Sequence, residues 1–108
     1  MKKSGKPEAA TLKGKLNVSD LRKGVLVLRA INHKLRQAMV ALLDEREKMT
    51  VTEIYVQLRL EQSVASQHLA ILRKAGVVNT IRDGKFIHYS LNNERLAQIA
   101  TMVDNIIH

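Results

Sequence analysis

The chain of 108 residues is 45% hydrophobic but only 3% aromatic, so it suffices for one domain with an aliphatic core. A domain this small gains from burying further apolar surface in a dimer. Its 18 Lys and Arg against 10 Asp and Glu give a formal charge of +8, which points to a polyanionic partner, while the lack of cysteine excludes disulfides, thiolate switches and cysteine metal sites.

Met1 to Lys15 carry five lysines against one glutamate, with Gly5, Pro7 and Gly14 among them and no periodicity. We read residues 1–15 as a disordered basic arm, either a leader without a role or an extra phosphate contact. The arm lacks the apolar core of a signal peptide, and no apolar run further on is long enough to cross a bilayer. A cytoplasmic protein is therefore expected, with residues 16–108 forming its single domain.

Val18, Leu21, Val25 and Leu28 recur with helical spacing from a cap at Asn17, and Asp20 lies in the positive first turn. Leu26, Val27, Ala30 and Ile31 widen the apolar surface, so this first helix needs a second surface, expected to be another subunit. Asn32 is read as the cap of a second helix, whose stripe is Leu35, Ala38, Met39, Leu42 and Leu43. A charged run, Asp44 to Lys48, then reads as a solvated connection. Thr50-Val51-Thr52-Glu53 is a capping-box signature opening a third helix of about two turns with Val51, Ile54, Tyr55 and Leu58 on one face.

After a tight connection, Arg59 to Gln62, Ser63 is read as the cap of a fourth helix. Ala65, Leu69 and Leu72 stack on its inner face. Ser63, Ser66, Gln67, Ala70, Arg73 and Lys74 form an outer face that is small, polar and finally cationic, suited to the DNA major groove. Gly76 is expected to close this helix in a left-handed cap. Val77 to Arg82 and Lys85 to Ser90 read as strands joined by a type I′ turn at Asp83-Gly84. A short helix, a turn, an exposed polar helix and a hairpin with Arg82 and Lys85 at its tip describe a winged helix-turn-helix. Leu96, Ile99, Ala100, Val103, Ile106 and Ile107 give a last amphipathic helix from Asn93 to Ile107. It is expected to pack with the first helix across a two-fold axis, through Leu21, Val25, Leu28, Leu96, Ile99, Val103 and Ile106.

The segments SVASQHLAILRKAGVV and RDGKFIHYSL, with RAINHKLRQAMVALL before them, resemble the ArsR-type family of small bacterial winged-helix repressors. The resemblance covers roughly Val25 to Ile107. It implies a mainly helical α+β fold of order ααααββα with a two-stranded wing, a homodimer joined through its first and last helices, and operator DNA as partner. The family's DNA-contacting positions fall on Gln62, Ser63, Ser66, Gln67 and His68, and its wing contacts on Arg82 and Lys85; His68, at the edge of the buried stripe, is read as making either a structural hydrogen bond or a backbone contact with DNA. Arg73 and Lys74 are read as phosphate clamps or solvated charges, and Arg82 as a minor-groove probe or a solvated arginine.

The chain departs from the family where signals are sensed. Its third helix has no cysteine, and the ligand positions of the last helix hold Asn93, Arg95 and Ile106, which are poor or incapable metal ligands. His33, His88 and His108 form no ligand set by spacing, so neither metal nor cofactor is expected. Relief of repression is left to a small organic molecule, a partner protein or the protein's own concentration. No glycine-rich phosphate loop or ordered Ser, His and Asp supports an enzyme. The function expected is sequence-specific DNA-binding regulation of transcription by a dimeric repressor on a near-palindromic operator. The competing reading is a winged-helix interaction module that does not bind DNA.

Overall fold

The computed structural model of the chain describes residues 11–12 and 16–107. Most of the basic arm therefore lies outside the described residues. Thr11–Leu12 (β1) depart from the disorder expected of it, because they pair antiparallel with Leu16–Asn17 (β2).

Five helices follow. In the first, α1 (Val18–Ile31), the Asp20 amide donates to Asn17 Oδ1 at 2.7 Å, so the expected cap is present. Its buried residues are Gly24, Val27 and Ala30, whereas Val25 and Leu28 stay 39% and 45% exposed. The helix thus has one face in the core and a second apolar face outside it. The cap of α2 (Lys34–Arg46) is His33, whose Nδ1 accepts from the Leu35 amide. Asn32, expected in that role, instead ends α1, its amide donating to the Arg29 carbonyl. A histidine with a free ring nitrogen does what a shorter polar side chain would do at the helix start.

Between the charged run and the capping box lies a strand that the sequence did not announce, β3 (Met49–Thr50). Two residues are too few for a period-2 pattern to register. The capping box at the start of α3 (Val51–Gln57) is complete: the Glu53 amide donates to Thr50 Oγ1 and the Thr50 amide to Glu53 Oε1 at 2.8 Å. Helix α4 (Gln62–Lys74) begins one residue before Ser63, with Glu61 at its cap and no side-chain cap bond, so Ser63 lies inside the first turn.

The wing comprises β4 (Val78–Asp83) and β5 (Phe86–Leu91), paired from Val78 opposite Leu91 to Asp83 opposite Phe86. That register makes Gly84-Lys85 the turn, one residue beyond the expected pair. Gly84 takes φ 64° and Lys85 is not in the positive region, the pattern of type II′ and not type I′. Because β3 pairs with β5, setting Met49 opposite Tyr89, the sheet has three strands in the order β3-β5-β4 instead of two. The last helix, α5 (Asn93–Ile107), is started by Asn92, whose Oδ1 accepts from the Arg95 amide.

The core gathers Val27 from α1, Met39 and Leu43 from α2, Ile54 from α3, Leu69 and Leu72 from α4 and Val77 beyond it, each at 1% exposure or less. Helix α5 closes against α1 of its own chain. A Cβ on Gly24 would lie 2.7 Å from Met102 Sδ and 3.6 Å from Ile99 Cδ1, so the glycine permits the close approach. Ile99, expected at a subunit interface, is 6% exposed and occupied within its own chain.

Candidate nucleic-acid interface

The polar helix α4 is held by its two ends. At its start, the chain leaves α3 through Arg59, whose φ of 57° is left-handed. The Leu60 amide donates to the Tyr55 carbonyl and the Arg59 amide to the Val56 carbonyl, which closes α3 in a Schellman motif. At its finish the same motif recurs with the expected residue: Gly76 has φ 82°, its amide donates to Arg73, and the Val77 amide donates to Leu72 at 2.9 Å. Leu72 and Val77, both fully buried, supply the apolar contact that accompanies this cap. The positive φ is what calls for glycine; a Cβ there would also meet Arg95 Nη1 at 2.7 Å, a contact that the end of the long side chain can relieve by moving.

Between these ends Ala65, Leu69 and Leu72 are fully buried, which fixes the rotation of α4. The rotation leaves Gln62, Ser63, Ser66, Gln67 and Ala70 exposed on its outer side, with Arg73 and Lys74 at its C-terminal end. One helix thus presents polar side chains at its first turns, a small alanine in its middle and two cations at its last turn. The cations also suit the negative end of the helix dipole. Arg73 borders the root of the wing beside Val78 and Ser90, whereas Lys74 borders α1 and α2, so the two cations diverge.

His68 departs from the outer face. It is partly buried, its Nδ1 lies 3.1 Å from Arg36 Nη1, and its ring stands 4.7 Å from the ring of His33. Since the guanidinium can only donate, His68 Nδ1 is the acceptor. Loss of hydration, then the neighbouring His33 and Arg36, hold its pKa below the usual histidine range. His68 therefore joins α4 to α2 through a structural hydrogen bond, one of the two roles expected of it, and is less exposed than Gln62, Ser63, Ser66 and Gln67. Arg36 completes the junction by donating from Nε to the Ala30 carbonyl at the end of α1. Spacing along the chain could not reveal this cluster, because 32 residues separate Arg36 from His68.

At the wing, Arg82 and Lys85 are both exposed, Arg82 on β4 opposite Ile87 and Lys85 in the turn. Lys85 Nζ lies 5.9 Å from the centre of the Phe86 ring, which steadies the ammonium over an aromatic face. Arg59, exposed in the turn of the helix-turn-helix, is a further cation that the sequence reading passed over. Among the described residues no group of three or more His, Asp or Glu is placed to hold a metal ion, and no helix is long and apolar enough to cross a membrane.

Residues 33–80, which span α2 to the start of the wing, match the model of the bacterial regulatory protein family arsR. The transcriptional activator HlyU of Vibrio cholerae is 31% identical over 84 residues, which cover 78% of this chain and 77% of HlyU. The transcriptional repressor PagR of Bacillus anthracis is 32% identical over 92 residues, 85% of this chain and 92% of PagR. The crystal structure of PagR superposes with a TM-score of 0.67, at 32% identity, over 78% of this chain and 97% of that one. These relatives lend nothing to a winged helix that does not bind DNA. The order of elements, the matched segment and the relatives agree: the chain belongs to the arsR family of bacterial regulatory proteins and is a winged-helix, DNA-binding regulator of transcription.

Proposed function

We propose that the protein is a homodimeric repressor that reads a near-palindromic operator with two copies of α4. The observation that carries this reading is the exposed face of Gln62, Ser63, Ser66 and Gln67 on a helix whose reverse face is fully buried. A helix so fixed enters a major groove with its first turns at the base edges, and its two-fold mate reads the next groove about 34 Å away. Gln67 is the residue assigned to bidentate recognition of adenine. Arg59, Arg73, Arg82 and Lys85 are assigned to phosphates or, for Arg82, to a narrow minor groove.

The proposed dimer face joins Leu21, Val25 and Leu28 of α1 to Leu96, Val103 and Ile106 of α5. Val25, Leu28 and Ile106 are 39%, 45% and 51% exposed, more apolar surface than a monomer needs to leave in water. A cleft of about 750 Å³ continues this face, with Val25, Leu28, Val40 and Leu96 among its lining. Sedimentation at micromolar concentration is expected to give a dimer, and Leu28→Glu a monomer.

The deciding experiment is selection of bound duplexes from a random pool. It should return an inverted repeat, and affinity for it should fall linearly on a log–log plot against salt. Gln67→Ala should relax preference at one base position in each half-site, at a cost of about 1–3 kcal/mol. An unchanged profile and affinity would remove Gln67 from the reading set.

A further inference from the structure

We propose that the cleft between α1, α2 and the C-terminal end of α4 binds a small amphipathic carboxylate: one carboxylate on a short apolar body. The cleft, of about 370 Å³, has an apolar floor of Leu26, Ala30, Ile71 and Ala75. Three cations, Arg29, Arg36 and Lys74, stand around it, and no carboxylate is among its lining residues. Leu26 and Ile71 remain 53% and 43% exposed, beside Ala30 and Ala75, which belong to the core. Large aliphatic side chains left in water beside three cations of one sign match a ligand with an apolar body and an anionic head.

Arg36 makes the site more than a scatter of surface charge. Its guanidinium is anchored through Nε on the Ala30 carbonyl and through Nη1 on His68. The remaining Nη2 is thereby held in place, and a fixed guanidinium loses little freedom when a carboxylate docks. Size agrees as well, since the volume falls at the lower end of small-ligand pockets.

The second subunit is a poor occupant for this cleft. On a helical projection of α1, Val25 and Leu28 lie on one flank of the buried line through Gly24, Val27 and Ala30, and Leu26 lies on the other. The apolar floor of the cleft therefore lies off the dimer face proposed above, and of the cleft's lining only Arg29 also borders the cleft that continues that face. Lys74 belongs both to the cleft and to the end of the recognition helix, so a ligand there would draw a cation toward α1 and away from DNA.

The test uses the full chain without DNA, and so stands apart from the operator reading. Octanoate, titrated calorimetrically and by amide chemical shifts, should bind once per chain and perturb Leu26, Arg29, Ile71 and Ala75. Octanol, octylammonium and inorganic phosphate should each bind at least tenfold more weakly, which separates recognition of head and body from recognition of either alone. Ile71→Glu and Lys74→Gln should each weaken octanoate at least tenfold, and Ile81→Glu on the exposed wing should leave it unchanged. Equal binding of octanol would overturn the anionic head, and equal binding of phosphate the apolar body. Octanoate binding indifferent to both cleft variants would place it elsewhere. Dissociation of a dimer by Ile71→Glu would make the cleft a subunit contact and overturn the proposal.

Discussion

Replacing Gly76 by alanine tests how the recognition helix is joined to the wing. Two costs can be separated at this residue. Its φ of 82° places an alanine Cβ against the backbone, at about 1–2 kcal/mol, which the smaller conformational freedom of unfolded alanine offsets by about 0.4–1 kcal/mol. The new Cβ also meets Arg95 Nη1 at 2.7 Å, so the guanidinium must move and give up its packing over the cap. That end of a long side chain yields easily, and a further loss of about 0.5–1 kcal/mol is the expected size for an off-rotamer displacement. The sum is about 1–2 kcal/mol, and each kcal/mol lowers Tm by about 4–8 °C in a domain of this size. Urea unfolding of Gly76→Ala, Arg95→Ala and the double variant isolates the two parts. The alanine should cost less in the Arg95→Ala background, by the clash alone, and Gly76→Asn should cost less than Gly76→Ala because asparagine tolerates the left-handed region. A Gly76→Ala protein as stable as the parent would refute the backbone argument. A cost unchanged by removing Arg95 would refute the steric one.

Three further outcomes are expected. Arg59→Gly relieves the left-handed cap of α3 and should raise stability by about 0.5–1 kcal/mol in urea unfolding while weakening DNA binding at low salt, if the side chain reaches a phosphate. Thr50→Ala should cost about 1 kcal/mol by removing the Oγ1 acceptor of the capping box; the bond from the Thr50 amide, which that variant keeps, lowers the Glu53 pKa, so its stabilisation is present above the usual glutamate range and lost as pH falls through the lower folded value, which unfolding curves of the parent and of Glu53→Gln against pH will show. The His68 pKa is also lowered, so the unfolded chain takes up this proton first: stability should fall on acidification below about pH 6.5 until the folded value is passed, and His68→Gln should flatten that part of the curve.

Much of this molecule was legible in local pattern. The 3.6-residue spacing of Ala65, Leu69 and Leu72 set the rotation of the recognition helix, and its outer residues followed from that alone. Thr50 to Glu53 named a cap, and Gly76 named a helix end, because both depend on chemistry within a few residues. The charge balance indicated a polyanion before any element was placed.

What the sequence left open depends on partners distant along the chain or on choices between equivalent local solutions. The wing turn moved by one residue because pairing at the root, Val78 with Leu91, sets the register, and Gly84 satisfies a type II′ turn as readily as a type I′. Strand β3 exists only because β5 offers it an edge. Ile99 faced the same way as the candidate interface residues on a helical projection, and only the close approach of α5 at Gly24 assigned it to the interior. His68 adjoined the reading face by position, yet Arg36 and His33 turned it toward α2. Sequence by itself determined which helix can read DNA, since amphipathicity is a local property. Tertiary structure decided which of its side chains are free to do so, since burial and hydrogen bonding depend on what the rest of the chain brings alongside.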